Sequence, residues 1–225
     1  MKYYYYFFFL LFSFAFSDAQ EMKVIGDLRL ISEIGIEKSL FKNWKIGAES
    51  TLKLEKNISR IDELDFDLDL GYSPLKFLSL GVGYRLAFNQ KRNGTWEKKY
   101  RYSGELGLDY RIRRFKLDYR IRYQNVDDDF FQYEQYQPSR NILRNRARLK
   151  YNIPKIPMES YTYVELYGLL NKDSEFATKI KFALGARYNF KKLGKIKVFY
   201  RIDRELNSLY PFTLYNIGIG YTYDF

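Results

Sequence analysis

The chain has no cysteine and no histidine among its 225 residues. Without cysteine there is no disulfide framework, so the fold must rest on its hydrogen-bond ladder. Zinc sites built from His and Cys are excluded too, which leaves only carboxylate sites for hard cations. Imidazole acid–base chemistry goes with them. Long apolar runs are also scarce: beyond Gln20 nothing approaches the about 20 uncharged apolar residues of a spanning helix. Proline occurs only 5 times. Pro154 and Pro157 fall close together and mark a turn, because proline cannot serve a central β-ladder.

What the chain has in quantity is charge and aromatic rings. Charged residues make up 29% and aromatic residues 20%, and 38 Lys and Arg against 27 Asp and Glu give a net charge of +11. The mean hydropathy is −0.46. A water-soluble core struggles to bury so many rings, whereas a barrel in lipid turns rings outward and charges inward, which lowers its average hydropathy. The length fits a single all-β domain. A different kind of segment precedes it. Residues 1–19 open with Lys2, run through Tyr3–Phe12 and Phe14–Phe16, and end in Ser17-Asp18-Ala19. This reads as a cleaved secretory signal peptide, too short to be a spanning helix. The barrel is expected over residues 20–225, and removing Lys2 and Asp18 leaves its charge at +11.

Period two dominates the remainder. Leu64, Phe66, Leu68, Leu70 and Tyr72 alternate with Asp65, Asp67, Asp69 and Gly71, and after a turn at Ser73–Lys76 the apolar positions resume at Leu78, Leu80, Val82, Tyr84, Leu86 and Phe88. A helix would instead place Asp65 and Asp69 beside Leu68 on one face. Short turns are expected near residues 42, 75, 113, 155 and 193, with longer polar loops at Asn89–Lys99, Asn125–Asn141, Asn171–Ala177 and Asn207–Phe212. In Tyr161–Leu169, keeping Glu165 out of lipid sends Val164 and Leu166 outward and three tyrosines inward. Rings beside the short turns (Trp44, Tyr72, Phe77, Tyr110, Phe115, Tyr151, Tyr188, Phe190) form an interfacial girdle.

The chain closes on Tyr215, Ile217, Ile219, Tyr221, Tyr223 and Phe225, each separated by a small or polar residue. That ending resembles the insertion signal of outer-membrane barrels, which the barrel-insertion machinery reads. An open sheet would leave orphan backbone groups in lipid, so closure is nearly forced. The fold class is therefore all-β: a transmembrane antiparallel up-and-down barrel with strands of about 9–11 residues. Eleven candidate strands are visible, whereas two termini on the periplasmic side require an even number. Counting Met22–Asp27 as an extra strand gives twelve, and dropping a weak candidate gives ten. A secreted sandwich or lipocalin-like barrel is the soluble alternative, but it would leave the polar alternate face and Phe225 unexplained together.

With the signal peptide ending near Ala19-Gln20, the run Gly81-Val-Gly-Tyr-Arg85 after the second short turn, and the aromatic terminus, the chain resembles the DUF2490 family of Bacteroidetes-type outer-membrane proteins. The resemblance implies fold and a Gram-negative outer-membrane location, and no activity. Known outer-membrane barrel enzymes depend on a catalytic histidine, which this chain lacks. A non-enzymatic barrel with no cofactor and no metal follows.

The inward face supplies the candidate site. Asp65, Asp67 and Asp69 form an acidic column and Arg144, Arg146, Arg148 and Lys150 a basic one, with Arg85, Arg101, Glu105, Arg120 and Arg122 between them. One reading is a lumen filled by ion pairs, since unpaired buried charges are costly. The other is a water-holding lumen that passes or binds small anions on its basic wall. Inward Gly35, Gly47, Gly71, Gly81, Gly83, Gly107 and Gly185 allow tight coiling and leave room near the short-turn mouth. The run Asp127-Asp128-Asp129 suits a solvated loop tip better than a calcium site. Basic short turns (Lys42, Arg111, Arg113, Arg114, Lys155, Lys191, Lys192) point to anionic lipid as the partner, or else to an acidic envelope protein. Export removes nucleic acid as a partner despite a pI near 9.5.

Overall fold

The computed structural model describes residues 25–91, 93–126, 140–170, 176–190, 193–208 and 210–225. The expected signal peptide, the run Asp127–Asp129, and Lys191 and Lys192 lie outside these residues. Period-two alternation becomes eleven strands: β1 (Ile25–Phe41), β2 (Trp44–Glu55), β3 (Arg60–Leu75), β4 (Leu78–Gln90), β5 (Trp96–Ile112), β6 (Phe115–Val126), β7 (Arg140–Asn152), β8 (Met158–Leu169), β9 (Ala177–Phe190), β10 (Gly194–Glu205) and β11 (Phe212–Asp224). Neighbours in sequence pair antiparallel in one closed barrel. No helix occurs among the described residues.

The expected count of twelve, or ten, is corrected to eleven. Gly26 and Asp27, assigned above to an extra strand, are the second and third residues of β1 itself, whose ladder to β11 runs unbroken from Ile25↔Phe212 to Glu37↔Asp224. This closing pair is parallel. A parallel ladder satisfies backbone groups as an antiparallel one does, so an odd barrel can close. Its consequence is topological: β1 begins at the long-loop rim, while β11 ends at the short-turn rim. Two contacts pin the start of β1. The Asp27 carboxylate accepts the backbone N–H groups of Lys56 and Asn57 at 3.1 and 3.0 Å, and Arg29 donates to Asp62 at 2.8 Å.

Strands of 12 to 17 residues exceed the expected length. The loop expected over Asn89–Lys99 shrinks to five residues because the ladder continues to Gln90↔Trp96. Likewise β3 runs past Tyr72 with a register shift before Leu75↔Leu78, and only residues 76–77 turn. Polar side chains do not stop a ladder whose backbone groups still have partners. Asn43, with φ at 73°, supplies the left-handed step of the β1–β2 turn, which asparagine tolerates.

The burial pattern is inverted relative to a soluble protein. Among the described residues, only Ile31, Ala87, Tyr161, Tyr167 and Ala183 are buried apolar residues, against thirteen buried polar or charged ones. Outward, Ile34, Leu68, Val82, Tyr102, Leu184 and Ile217 stand exposed. Tyr161, Tyr163 and Tyr167 do point inward, and Val164 outward, as Glu165 requires. Polar outward groups find partners in rings: Tyr119 donates to Asn145 at 3.0 Å and Tyr123 to Asn141 at 2.8 Å. The expected girdle includes close ring pairs, Trp44–Tyr72 with centroids 4.6 Å apart and Phe115–Tyr151 at 4.9 Å.

Candidate functional site

The lumen is built from alternate residues of all eleven strands, and its charges pair mostly between neighbouring strands. On the acidic side, Asp65 is fully buried, at 0% exposure. It accepts from Lys53 of β2 at 2.9 Å and Arg85 of β4 at 2.8 Å, and Arg85 also reaches Asp67 at 2.5 Å. Lys53 continues to Glu63. On the basic side, Glu165 of β8 is the hub. It accepts from Arg144 through both oxygens, at 2.9 and 2.8 Å, from Arg120 two strands away at 2.9 Å, and from the Tyr167 hydroxyl at 3.2 Å. Arg122 donates to Glu105 at 2.8 and 2.5 Å. Asp118 gathers Arg148 at 2.7 Å and Lys150 at 3.0 Å. A third cluster joins Arg201 and Lys181 to Asp203 at 2.7 and 3.4 Å.

The two columns expected from sequence thus lie on different walls, and each is neutralised largely by its neighbours. Arg101 stands opposite Arg85 in the β4–β5 ladder. Residues missing from the expected set matter as much: Glu55, Asp62 and Arg29 tie the long-loop rim together, and Asn216 of β11 is 2% exposed and donates to the Arg201 carbonyl at 3.2 Å. Glu55 carries the inward parity one residue beyond Leu54, and Arg29 and Asn216 sit inside the alternation, but Asp62 is out of parity and is brought in by the register shift between Lys53↔Glu63 and Leu54↔Ile61.

The lumen is not uniform along its axis. Toward the long-loop rim Ile31, Asp65, Ala87, Lys99, Gln124, Glu165, Lys179 and Asp203 are all buried. Toward the short-turn rim the β2–β5 wall is lined by Gly47, Gly71, Gly81, Gly83 and Gly107, and there Asp69 is exposed. Between the two, a void of about 10 Å³ touches Asp67, Asp69, Arg101, Ser103, Arg122 and Gln124, room for about one water. Two glycines on the far wall serve close packing instead. A Cβ on Gly218 would overlap the Phe199 ring, and one on Gly185 would meet Tyr161 Cζ at 2.5 Å.

The terminal strand is fixed at both faces. Tyr215, Ile217, Ile219, Tyr221, Tyr223 and Phe225 face outward, and the Phe225 amide donates to the Glu37 carbonyl at 3.0 Å. Lys195 clasps Asp224 at 2.9 Å and Glu37 at 3.2 Å, Lys45 reaches Glu37 at 2.5 Å, and the Lys38 ammonium lies 4.6 Å above the Phe225 ring. The seam between first and last strand is therefore closed at the short-turn rim by an ion cluster as well as by its ladder.

Exposed apolar exterior, ion-paired interior and a closed ladder define the class: an inside-out all-β barrel. The chain belongs to the family described as Protein of unknown function (DUF2490), which matches residues 32–208. That span runs from within β1 to the segment after β10. No curated protein matches the chain.

Proposed function

We propose that this chain is a non-enzymatic outer-membrane β-barrel of a Gram-negative envelope, exported by residues 1–19 and serving as a structural or accessory component. The observation that carries the reading is the inversion of burial: Leu68 and Leu184 are 56% and 65% exposed while Asp65 and Glu165 are 0% and 2% exposed. In water the exterior would be a large apolar patch; in lipid it is the ordinary solvent-facing surface. Outer-membrane lipid is the first partner, with Arg113 and Arg114 in the β5–β6 turn beside exposed Ile112 and Phe115 suited to headgroups. The insertion machinery would read the β11 terminus. An acidic envelope protein docking on the same basic turns is the alternative partner. Fractionation tests this: the protein should sediment with outer membranes and run faster on gels before boiling than after. Recovery as a soluble periplasmic species would overturn it.

A second reading has an observation of its own. The basic β6–β7 wall, where the Arg120, Arg146 and Arg148 side chains remain 14%, 15% and 19% exposed, supports a blind, water-holding vestibule that binds small anionic solutes, whereas the buried charges of the long-loop half argue against through-conduction. Purified barrel in a planar bilayer should stay silent; stepwise conductance would replace this reading by a channel.

A further inference from the structure

Three apolar side chains stand in one row at the short-turn end of the outer face. Ile112 of β5 pairs with Phe115 of β6, and Phe115 pairs with Tyr151 of β7. Alternation turns all three outward, and Ile112 and Phe115 are 56% and 49% exposed. Arg113 and Arg114, the two residues that join β5 to β6, sit at the head of this row, and the five side chains line an open groove of about 870 Å³. One step further from the turn Tyr110, Leu117 and Leu149 lie side by side across the same strands, again exposed. The apolar floor of the groove therefore runs without a break into the outer face.

The head of the groove is basic. Arg111, Arg113 and Arg114, with Lys155 of the β7–β8 turn, are exposed and form no ion pair among the described residues. Asp109, the acid nearest to this turn in sequence, is engaged by Lys116 at 2.9 Å. The Asn152 amide donates to the Arg114 carbonyl at 3.0 Å, which ties the end of β7 to the turn. The seam between β1 and β11 shows the opposite arrangement at the same rim, where Lys45 and Lys195 are matched by Glu37 and Asp224. A ligand that fits the groove has an anionic head for the guanidinium forks and an apolar body to lie along the rings. An amphiphile offers both. Free phosphate lacks the body, and an acidic protein segment has no chain to lay toward the middle of the membrane.

We propose that the groove at the β5–β6 turn is a binding site for one anionic phospholipid of the leaflet at the short-turn rim. Arg113 and Arg114 hold its phosphodiester, and an acyl chain lies over Ile112, Phe115 and Tyr151 toward Leu117 and Leu149. The site rests on the lipid-facing reading of the exterior above, to which it adds a fixed position and a headgroup class. Diffuse attraction of basic turns to headgroups needs neither.

The test places the full mature barrel in detergent micelles with equal amounts of phosphatidylglycerol and phosphatidylcholine of the same chain length, and counts bound lipid by native mass spectrometry. One phosphatidylglycerol should be kept per barrel, preferred over phosphatidylcholine by about tenfold or more, since each base beside an anionic headgroup strengthens binding about fivefold. The double variant Arg113→Asn with Arg114→Gln should lose that preference. Arg113 has a φ of 52°, a left-handed conformation that asparagine tolerates, so the variant should unfold at the parent temperature or above, followed by the fluorescence of Trp44 and Trp96. Lys42→Gln, in the β1–β2 turn, should keep the preference. Equal retention of the two lipids by the parent, or an unchanged preference in the double variant, overturns the site. So does displacement of the bound lipid by glycerol phosphate or by polyglutamate, which would assign the groove to a soluble phosphate or to an acidic protein. Reconstitution into phosphatidylcholine liposomes separates the failures. A barrel that inserts but shows no preference loses this site alone, whereas one that stays in the aqueous phase loses the lipid-facing reading with it.

Discussion

The two halves of the lumen use the same residue types in opposite ways. Near the long-loop rim each carboxylate serves as a buried hub: Glu165 binds two arginines and a tyrosine, and Asp65 a lysine and an arginine. Near the short-turn rim, on the β2–β5 wall, Asp69 is exposed among glycines and forms no ion pair among the described residues. Burial, more than depth or sequence motif, decides what a charge does: at short-turn depth on the β6–β7 wall Asp118 is 6% exposed and binds Arg148 and Lys150. Buried, it is tolerable only when paired, and removing its partner is expensive; exposed, it costs little either way.

Substitutions should divide along that line. The largest effect is expected from Glu165→Ala, which strips counter-charge from Arg144 and Arg120 together. Urea unfolding in micelles should show a loss of about 3–5 kcal/mol. Leu68→Arg, on the exposed outer face, should cost about 2–4 kcal/mol when the barrel is folded into bilayers, and much less in a short-chain detergent that lets the guanidinium reach water. Gly218→Ala presses a methyl group into the Phe199 ring and should cost about 1–3 kcal/mol as overpacking. Its counterpart in the open half, Gly71→Ala, meets only backbone oxygens at 3.8 and 3.9 Å, so it should be nearly neutral. Asp69→Ala should be the mildest charge change, within about 0.5 kcal/mol. If Asp69→Ala matched Glu165→Ala, the contrast between halves would be void.

Parallel closure offers a separate handle. Because β1 starts at one rim and β11 ends at the other, an epitope inserted just before Ile25 and one inserted after Phe225 should be accessible from opposite sides of the membrane. Access from the same side would break the eleven-strand topology.

Most of the wall pattern was legible in the sequence, because a two-residue period assigns faces without knowledge of partners. Tyr161–Leu169 shows how far that goes: one acid, Glu165, sufficed to orient three tyrosines correctly. Strand ends were less legible. Gln90 and Trp96 belong to the ladder, yet polar residues near a rim read as loop, since nothing in their side chains records that the backbone is paired. The parallel seam was hidden for a related reason. Closure depends on which strand meets which, and the lead-in to β1 carries too little alternation to fix its count. Within the site, the two charge columns were visible, but the pairing was not. Glu165 neutralises Arg120 across an intervening strand, a contact that depends on barrel curvature rather than on spacing.

The proposed barrel turns its exterior to lipid and packs its lumen in the long-loop half, leaving the β2–β5 wall open at the short-turn end. Because the chain has no cysteine, three single substitutions test it directly in liposomes: Asp69→Cys in the open half, Ala87→Cys in the packed half, and Val82→Cys on the outer face. A water-soluble thiol reagent should modify the Asp69→Cys barrel quickly and leave the other two unmodified until the barrel is unfolded. Modification of Ala87→Cys as fast as Asp69→Cys would mean an open lumen, and modification of Val82→Cys would mean that the exterior does not face lipid; either result contradicts the account.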